Sequence, residues 1–320
     1  MIKRIAILTT GGDAPGMNAA IRAVVRCAIN NKLEIMGVSR GYWGLINEEI
    51  KLMDHRSVSG IINLGGTILK TARCPEFHTP EGQERAYDTL KKNSVDAIIV
   101  IGGDGSFRAA HEFWKRHKVA CIGIPASIDN DINGIDVTIG SDTAINTALC
   151  AIDNIRDTAT SLERIFVVEV MGRESGYIAL QVALAGGCED VIIPERKFNL
   201  ESTCHAIVEG NLRGKISWII VVAEGAGSAF DISKNITEMT DLETRPVVLG
   251  HIQRGGRPTA FSRTQAATLG HAAVEALLKG ESDKAVSVKD GKINLIDLEF
   301  ASTKKKFDVD SLYNLVKVLT

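Results

Sequence analysis

Long apolar runs, paired cysteines and an excess of charge of one sign are all missing from this 320-residue chain. No stretch reaches the ~18 consecutive apolar residues of a membrane-spanning helix, so no membrane partner is expected. The opening residues, MIKRIAILTTGGD, break into glycines after one short apolar run and do not read as a secretory leader. The six cysteines (27, 74, 121, 150, 188 and 204) include no C-x-x-C pair. That scatter excludes a disulfide framework or a zinc site and fits incidental thiols in a reducing cytosol, so a cytoplasmic location is expected. A net charge of -2 and a pI near 6.4 leave no basic field to hold nucleic acid. Aromatics make up only 5% of the chain, beside 45% hydrophobic and 24% charged residues, within the ordinary globular range. The length allows a large core or two domains.

What is present is alternation. Short, almost continuously apolar runs (RIAILTT, EIMGVS, DAIIVIGG, ACIGIPAS, RIFVVEVMG, DVIIPE and SWIIVVAEG) suit strands buried on both faces, as in parallel sheets. Between them, MNAAIRAVVRCAINN, SDTAINTALCAIDNIRDTA and TCHAIVEGNLRG read as helices, the second opening at Ser141-Asp142, a good cap. Such alternation points to an α/β, doubly wound fold. Seven strands exceed one half-size sheet, so two α/β lobes are expected, packed closely because no linker rich in Pro, Ser or charge separates them. There is no short repeat or low-complexity tract, and the basic STKKKFDVD near the C-terminus reads as solvated surface.

In doubly wound folds, ligands bind beyond the carboxyl ends of the strands. TTGGDAPGMNAAIR places Gly11 and Gly12 after the first strand and before a helix bearing Arg22 and Arg26. Paired glycines let backbone N–H groups approach a phosphate, but a tight turn needing positive φ explains them equally well. The loop is neither a Walker loop nor G-x-G-x-x-G. VIGGDGSFRAA sets Asp104 among Gly102, Gly103 and Gly105, with Ser106 following, where a carboxylate can help hold magnesium on a polyphosphate. PASIDNDING carries Asp129 and Asp131 one residue apart. On a strand exit they point the same way, as a polar turn or as a carboxylate pair serving a metal, a phosphate or a proton. Arg73, Arg164, Arg173, Arg245 and Arg254, with His251, lie near strand ends or glycines. So many cations there point to a substrate with more than one phosphate.

GGDAPGMNAAIR, GGDGS, IDND, MGR, AEG and LGHIQRGG, in that order and spacing, resemble the bacterial ATP-dependent 6-phosphofructokinase family over most of the chain. The resemblance implies two similar three-layer α/β lobes with mainly parallel sheets and the active site in the cleft between them. Residues 1–140 plus 253–303 would form a large ATP-binding lobe, and 141–252 plus 304–320 a smaller fructose 6-phosphate-binding lobe. It implies γ-phosphoryl transfer from ATP to the 1-hydroxyl of fructose 6-phosphate, with Mg2+ as cofactor. Asp129 matches the general base, and Asp131 a neighbour that helps position the site and its magnesium. Asp104 matches the magnesium carboxylate, Gly12 a backbone donor to the phosphoryl group, and Arg73 and Arg173 cations on the transferring group. Tyr42, Arg73, Cys74 and residues 103–108, Ser106 among them, would line the nucleotide. Arg164, Arg245, His251 and Arg254 would hold the 6-phosphate, and Met171, Gly172 and Glu224 the sugar hydroxyls. In the family, Arg164 and Arg245 reach in from a neighbouring subunit, so a homotetramer is implied.

The chain departs from the family in four places. Ala126-Ser127 stands where Gly-Thr is usual, and Ser127 is expected to keep the hydroxyl donor. Tyr177 stands where relatives often carry aspartate, with no consequence assigned. Arg22, Arg26, Arg156, Glu189, Arg213 and Lys215 match a site for ADP or phosphoenolpyruvate, but His55 and Ile216 replace a usual arginine and lysine. Weaker phosphoenolpyruvate inhibition is the expected result. Gly105 and Ala126 stand where pyrophosphate-using relatives carry an acidic residue and a lysine, which favours ATP. The alternatives are a pyrophosphate-dependent relative and a catalytically silent sugar-phosphate-binding subunit. The latter is expected to lack Asp104, Asp129 or Arg173, all present here.

Overall fold

The seven apolar runs all become strands, and their parallel pairing accounts for their unbroken hydrophobicity. The computed structural model describes residues 2–306 and 308–319; Met1, Phe307 and Thr320, which fall in the expected lobes, lie outside the described residues. In chain order the strands are β1 (Arg4–Thr9), β2 (Glu34–Val38), β3 (Ile50–Met53), β4 (Ala97–Gly102), β5 (Ala120–Ser127) and β6 (Ile139–Gly140). They continue with β7 (Ile165–Val170), β8 (Asp190–Ile192), β9 (Trp218–Ala223), β10 (Thr244–Val248), β11 (Lys284–Lys289) and β12 (Lys292–Asp297). The helices are α1 (Met17–Asn30), α2 (Gly41–Ile46), α3 (Pro80–Lys92), α4 (Asp104–His117), α5 (Ser141–Leu162) and α6 (Tyr177–Ala185). After them come α7 (Leu200–Leu212), α8 (Ala229–Thr240), α9 (Ala260–Leu278), α10 (Leu298–Ala301) and α11 (Val309–Leu319). Among the described residues no helix is long and apolar enough to cross a membrane.

The chain forms two compact units: Met1–Thr143 with Arg254–Lys306, and Ala144–Gln253 with Phe307–Thr320, the first division falling within α5. The first unit holds an eight-stranded sheet ordered β12-β11-β5-β4-β1-β2-β3, with β6 paired to β5. Its centre is parallel, and the edge pairs β2·β3 and β11·β12 are antiparallel. Every residue of β4 is buried, and Ile98, Val100, Leu8 and Phe107 lie in one core with Phe77 and Phe113. The second unit holds a four-stranded parallel sheet ordered β10-β7-β9-β8. Its core gathers Val167, Ile220 and Val222 against Ile207, Ile232 and Ile236. The observed class is thus α/β with mainly parallel sheets, as expected.

The strands that sequence reasoning passed over are peripheral. β10 contains Pro246, which cannot donate to a ladder and is tolerated at an edge, where β10 lies. β12 is largely exposed, so it has no apolar run to announce it. The signal for the β11–β12 hairpin was Asp290-Gly291, both at positive φ, a pair favoured in tight hairpin turns.

Candidate active site

The loop after β5 carries the two aspartates, and its geometry corrects one expectation. β5 ends at Ser127, and Asn130 has φ 51°, so strand alternation does not aim Asp129 and Asp131. Hydrogen bonds within the loop do so instead. The Ser127 hydroxyl accepts from the Asp129 N–H at 3.2 Å and donates to Asp131 Oδ1 at 3.0 Å. Asn130 donates from Nδ2 to the Asp136 carbonyl (2.9 Å) and accepts from the Thr138 N–H (3.0 Å). Those two bonds hold a left-handed residue that would otherwise cost about 1–3 kcal/mol. Thr138 closes the base of the loop by donating from Oγ1 to the Ser127 carbonyl at 2.6 Å, beside the β5–β6 pairing. Asp129 ends 1% exposed, and Asp131 half-buried. Equivalent in sequence, the two carboxylates occupy unequal environments.

The two other loops of this unit open at neighbouring strand ends of the same sheet. Gly11 has φ 84°, which favours glycine. A Cβ on Gly12 would press first on the guanidinium of Arg254, at 2.5 Å, and Arg254 also donates to the Asp13 carbonyl at 3.3 Å. Arg254 therefore lies over the first glycine loop. Gly102 has a packing reason to be glycine, because a Cβ would press on Ser106 Oγ and on the Thr10 carbonyl. Gly103 and Gly105 have none: a Cβ on either would meet nothing within 4 Å. Half-buried Asp104 stands between them as the first residue of α4, a 14-residue helix. Open space, a helix N-terminus and a single carboxylate fit magnesium held jointly with phosphate oxygens and water. No cluster of three or more His, Cys, Asp or Glu able to hold a metal by itself occurs among the described residues.

Tyr42 and Cys74 support this region from behind. Tyr42 is 4% exposed, stacks on Phe77 at 3.9 Å and donates its hydroxyl to the Ser106 carbonyl at 2.7 Å. Its ring is thus a prop beneath the GGDGS loop, not an open wall. Cys74 is half-buried against the same core, and burial raises its thiol. Arg73, beside it, is exposed.

In the second unit, the turn after β7 is held by Glu224, which follows β9. Glu224 Oε1 accepts from the N–H groups of Gly172 (3.2 Å) and Arg173 (2.8 Å). Those residues have φ 148° and 53°, and a Cβ on Gly225 would collide with the Arg173 carbonyl. Met171 donates its N–H to Gln253 Oε1 at 2.8 Å. Gln253 is fully buried between His251 and Arg254 in sequence and was not among the expected site residues. Its signal was a polar residue inside LGHIQRGG with no other duty. His251 is exposed. Arg164 and Arg245 converge on one carboxylate: Arg164 Nε lies 2.8 Å from Glu243 Oε2, and Arg245 pairs with Glu243 Oε1.

The expected effector residues divide between the units. Arg22 and Arg26 lie on α1. In the second unit, Glu189 Oε1 draws Lys215 (3.4 Å) and Arg156 (3.8 Å), and Oε2 accepts from the Ile219 N–H. Arg156 also donates to the carbonyls of Gly186 and Gly187. Arg213 pairs instead with Glu209 on α7, and Ile216 is 42% exposed.

One region expected to be bland is not. In the basic segment near the C-terminus, Lys304 and Lys306 are exposed, but Lys305 is half-buried. Its ammonium donates to the carbonyls of Ile135 (2.6 Å) and Asp136 (3.2 Å). Burial pushes it down to about 8, against the opposing pull of Asp136 and Asp131.

Residues 4–277 match a family model described as phosphofructokinase. The chain is 50% identical to the ATP-dependent 6-phosphofructokinase of Clostridium botulinum (strain Hall) over 320 residues, all of both chains. It is likewise 50% identical, over the whole of both chains, to the ATP-dependent 6-phosphofructokinase of Clostridium novyi. It is also similar to the solved phosphofructokinase structure from Saccharomyces cerevisiae, with TM-score 0.87 and 35% identity over 94% of this chain. That chain is the longer one, and the match spans 45% of it.

Proposed function

The chain belongs to the phosphofructokinase family, and from that premise we propose that it transfers the γ-phosphoryl group of MgATP to the 1-hydroxyl of D-fructose 6-phosphate. The products are fructose 1,6-bisphosphate and ADP, the committed step of glycolysis. The observation that carries the reading is the loop after β5, where Ser127 and Asn130 hold a buried carboxylate, Asp129, in a defined backbone geometry.

Asp129 takes the proton of the 1-hydroxyl as that oxygen attacks the γ-phosphorus. The bond from phosphorus to the bridging oxygen breaks, and its electron pair leaves with ADP. Asp131 fixes Ser127 and with it the loop. The Gly12 N–H and the cations of Arg73 and Arg173 stabilise charge on the transferring group. Magnesium, held at Asp104 with the phosphate oxygens, supplies further charge neutralisation when bound. Nucleotide binding falls to the first unit, around residues 103–106. Sugar-phosphate binding falls to Met171, Gly172, Glu224, Arg164, Arg245, His251 and Arg254. Arg164 and Arg245 are assigned to the site of a neighbouring copy in a cytoplasmic homotetramer.

ATP is favoured over pyrophosphate because the space around Gly105 is open and Ala126 is buried, bringing no cation to that strand end. A coupled assay of fructose 6-phosphate with ATP, then with pyrophosphate, tests the donor. Turnover with ATP is expected. Turnover with pyrophosphate alone overturns the donor, and sugar-phosphate binding without turnover on either overturns the enzyme. Phosphoenolpyruvate is expected to inhibit weakly because His55 and Ile216 leave the effector residues short of two cations. A strong sigmoidal shift of fructose 6-phosphate saturation would refute that.

A further inference from the structure

The aspartate loop is tied on its outer side to a short stretch far away in sequence. Ile132 forms an antiparallel bridge with Lys304, Asn133 donates from Nδ2 to Thr303 Oγ1 at 2.9 Å, and Lys305 caps the carbonyls of Ile135 and Asp136. The stretch is itself anchored, since Arg108 on α4 donates to the Ser302 carbonyl at 3.2 Å. The Asp136 carbonyl is shared: it accepts from Asn130, the left-handed residue between the two aspartates, and from Lys305. The ammonium is therefore one hydrogen-bonded residue away from the backbone that sets the direction of Asp129.

Burying a lysine head is unfavourable, and a buried ion pair is weak evidence of stabilisation, because an apolar residue often fills such a place at no loss. A gain in loop geometry explains the retained charge better. We propose that Lys305 is a positioning residue for phosphoryl transfer, whose ammonium fixes the loop of residues 128–138 so that Asp129 meets the acceptor hydroxyl. The inference rests on the reading of Asp129 as the base. Lys305 acts through the loop backbone, and Thr303 and Lys304 complete the same tether.

The test uses the full chain carrying Lys305→Met, which keeps the length of the stem, and Lys305→Arg, which restores a cation. For Lys305→Met, kcat is expected to fall roughly 10- to 100-fold, the scale of a misplaced catalytic group. KM values for ATP and fructose 6-phosphate should stay within about threefold, and arginine should recover most of the loss. Amide exchange read by mass spectrometry should rise over residues 128–138 in the methionine variant and not across the central strands. Unchanged kcat, a change confined to KM, or unaltered exchange in the loop overturns the proposal. If Lys305→Met does not fold, Thr303→Val is measured in the same way, with a loss of about two- to fivefold and the same exchange pattern expected; no change in either overturns it. The exchange readout needs no turnover. A wild-type chain inactive on both substrates therefore refutes the assigned reaction while the tether is still decided.

Discussion

The two units arrange charge at their strand ends in opposite ways. In the first, the loops assigned to the nucleotide are left open: Gly103 and Gly105 face empty space, Asp104 stands between them, and Arg73 is exposed. In the second, several cations assigned to phosphate groups already have a carboxylate from the same chain. Glu243 holds Arg164 and Arg245, and Glu189 holds Arg156 and Lys215. A phosphate entering the first kind of site meets open backbone at Gly103 and Gly105 and an exposed guanidinium, whereas one entering the second competes with an internal anion. Intrinsic affinity and susceptibility to mutation should differ accordingly.

The sharpest test in the first unit removes the buried carboxylate of the loop after β5. Asp129→Ser should lower kcat roughly 10²- to 10⁴-fold, the usual worth of a general base, while the KM for fructose 6-phosphate holds. Steady-state kinetics with both substrates decides it, and near-normal turnover would remove Asp129 from its role. The counterpart in the second unit is Glu224, which acts through backbone amides. Glu224→Ala leaves the N–H groups of Gly172 and Arg173 without their acceptor, and a bond to a charged group contributes about 1.5–3 kcal/mol. A fall in kcat/KM of about tenfold to about a hundredfold is expected, below that of Asp129→Ser. A larger loss for Glu224 would reverse the ranking of the two units.

How far these roles were visible in the sequence depends on whether they are local. The parallel strands, and the placing of the glycine loops and of Asp129 beyond strand ends, are legible because buried strands are uniformly apolar and α/β folds turn polar where a strand gives way to a helix. The aim of the aspartate pair was not legible. It depends on Asn130 taking a left-handed conformation, fixed by partners six and eight residues on. In the sequence Lys305 reads as solvated surface, since its partners lie 170 residues away and nothing in KKK distinguishes the middle lysine. Gln253 was missed for the same reason, its contact with the Met171 N–H spanning 82 residues. The family resemblance places Tyr42 at the nucleotide, but its ring lies in the core and its hydroxyl reaches the loop.

Gly105 separates fold from function within the first unit. A Cβ there meets nothing, so Gly105→Ala should fold with an unchanged melting temperature. Gly105→Asp should fold equally well but raise the KM for ATP about tenfold, a like-charge cost of about 1.4 kcal/mol, through repulsion of the nucleotide phosphates. Calorimetry and ATP saturation curves separate the two effects. A destabilised alanine variant would mean that the open space belongs to the fold, and the contrast with Gly102 would fail.

The smallest effect is expected at Glu243, where the second unit's internal competition is tested directly. Arg164 and Arg245 both pair with this carboxylate, and all three side chains are roughly a third to a half exposed. Solvent screens such pairs, whose contribution is about 0.2–1 kcal/mol each. Glu243→Gln keeps the shape and removes the charge, so both guanidinium groups are released from an anion they must otherwise leave to bind phosphate. At about 0.5 kcal/mol each, the two pairs together should lower the KM for fructose 6-phosphate about fivefold, with kcat unchanged. Salt already weakens the exposed pairs of the wild type, so the difference between the two proteins should narrow as ionic strength rises from 0.01 to about 0.15 M, where the screening length drops from ~30 to ~8 Å. A KM that rises on substitution would assign Glu243 the opposite part, holding the arginines in the geometry the phosphate needs. The second unit's arginines would then be preorganised by their carboxylate, in contrast to the open loops of the first.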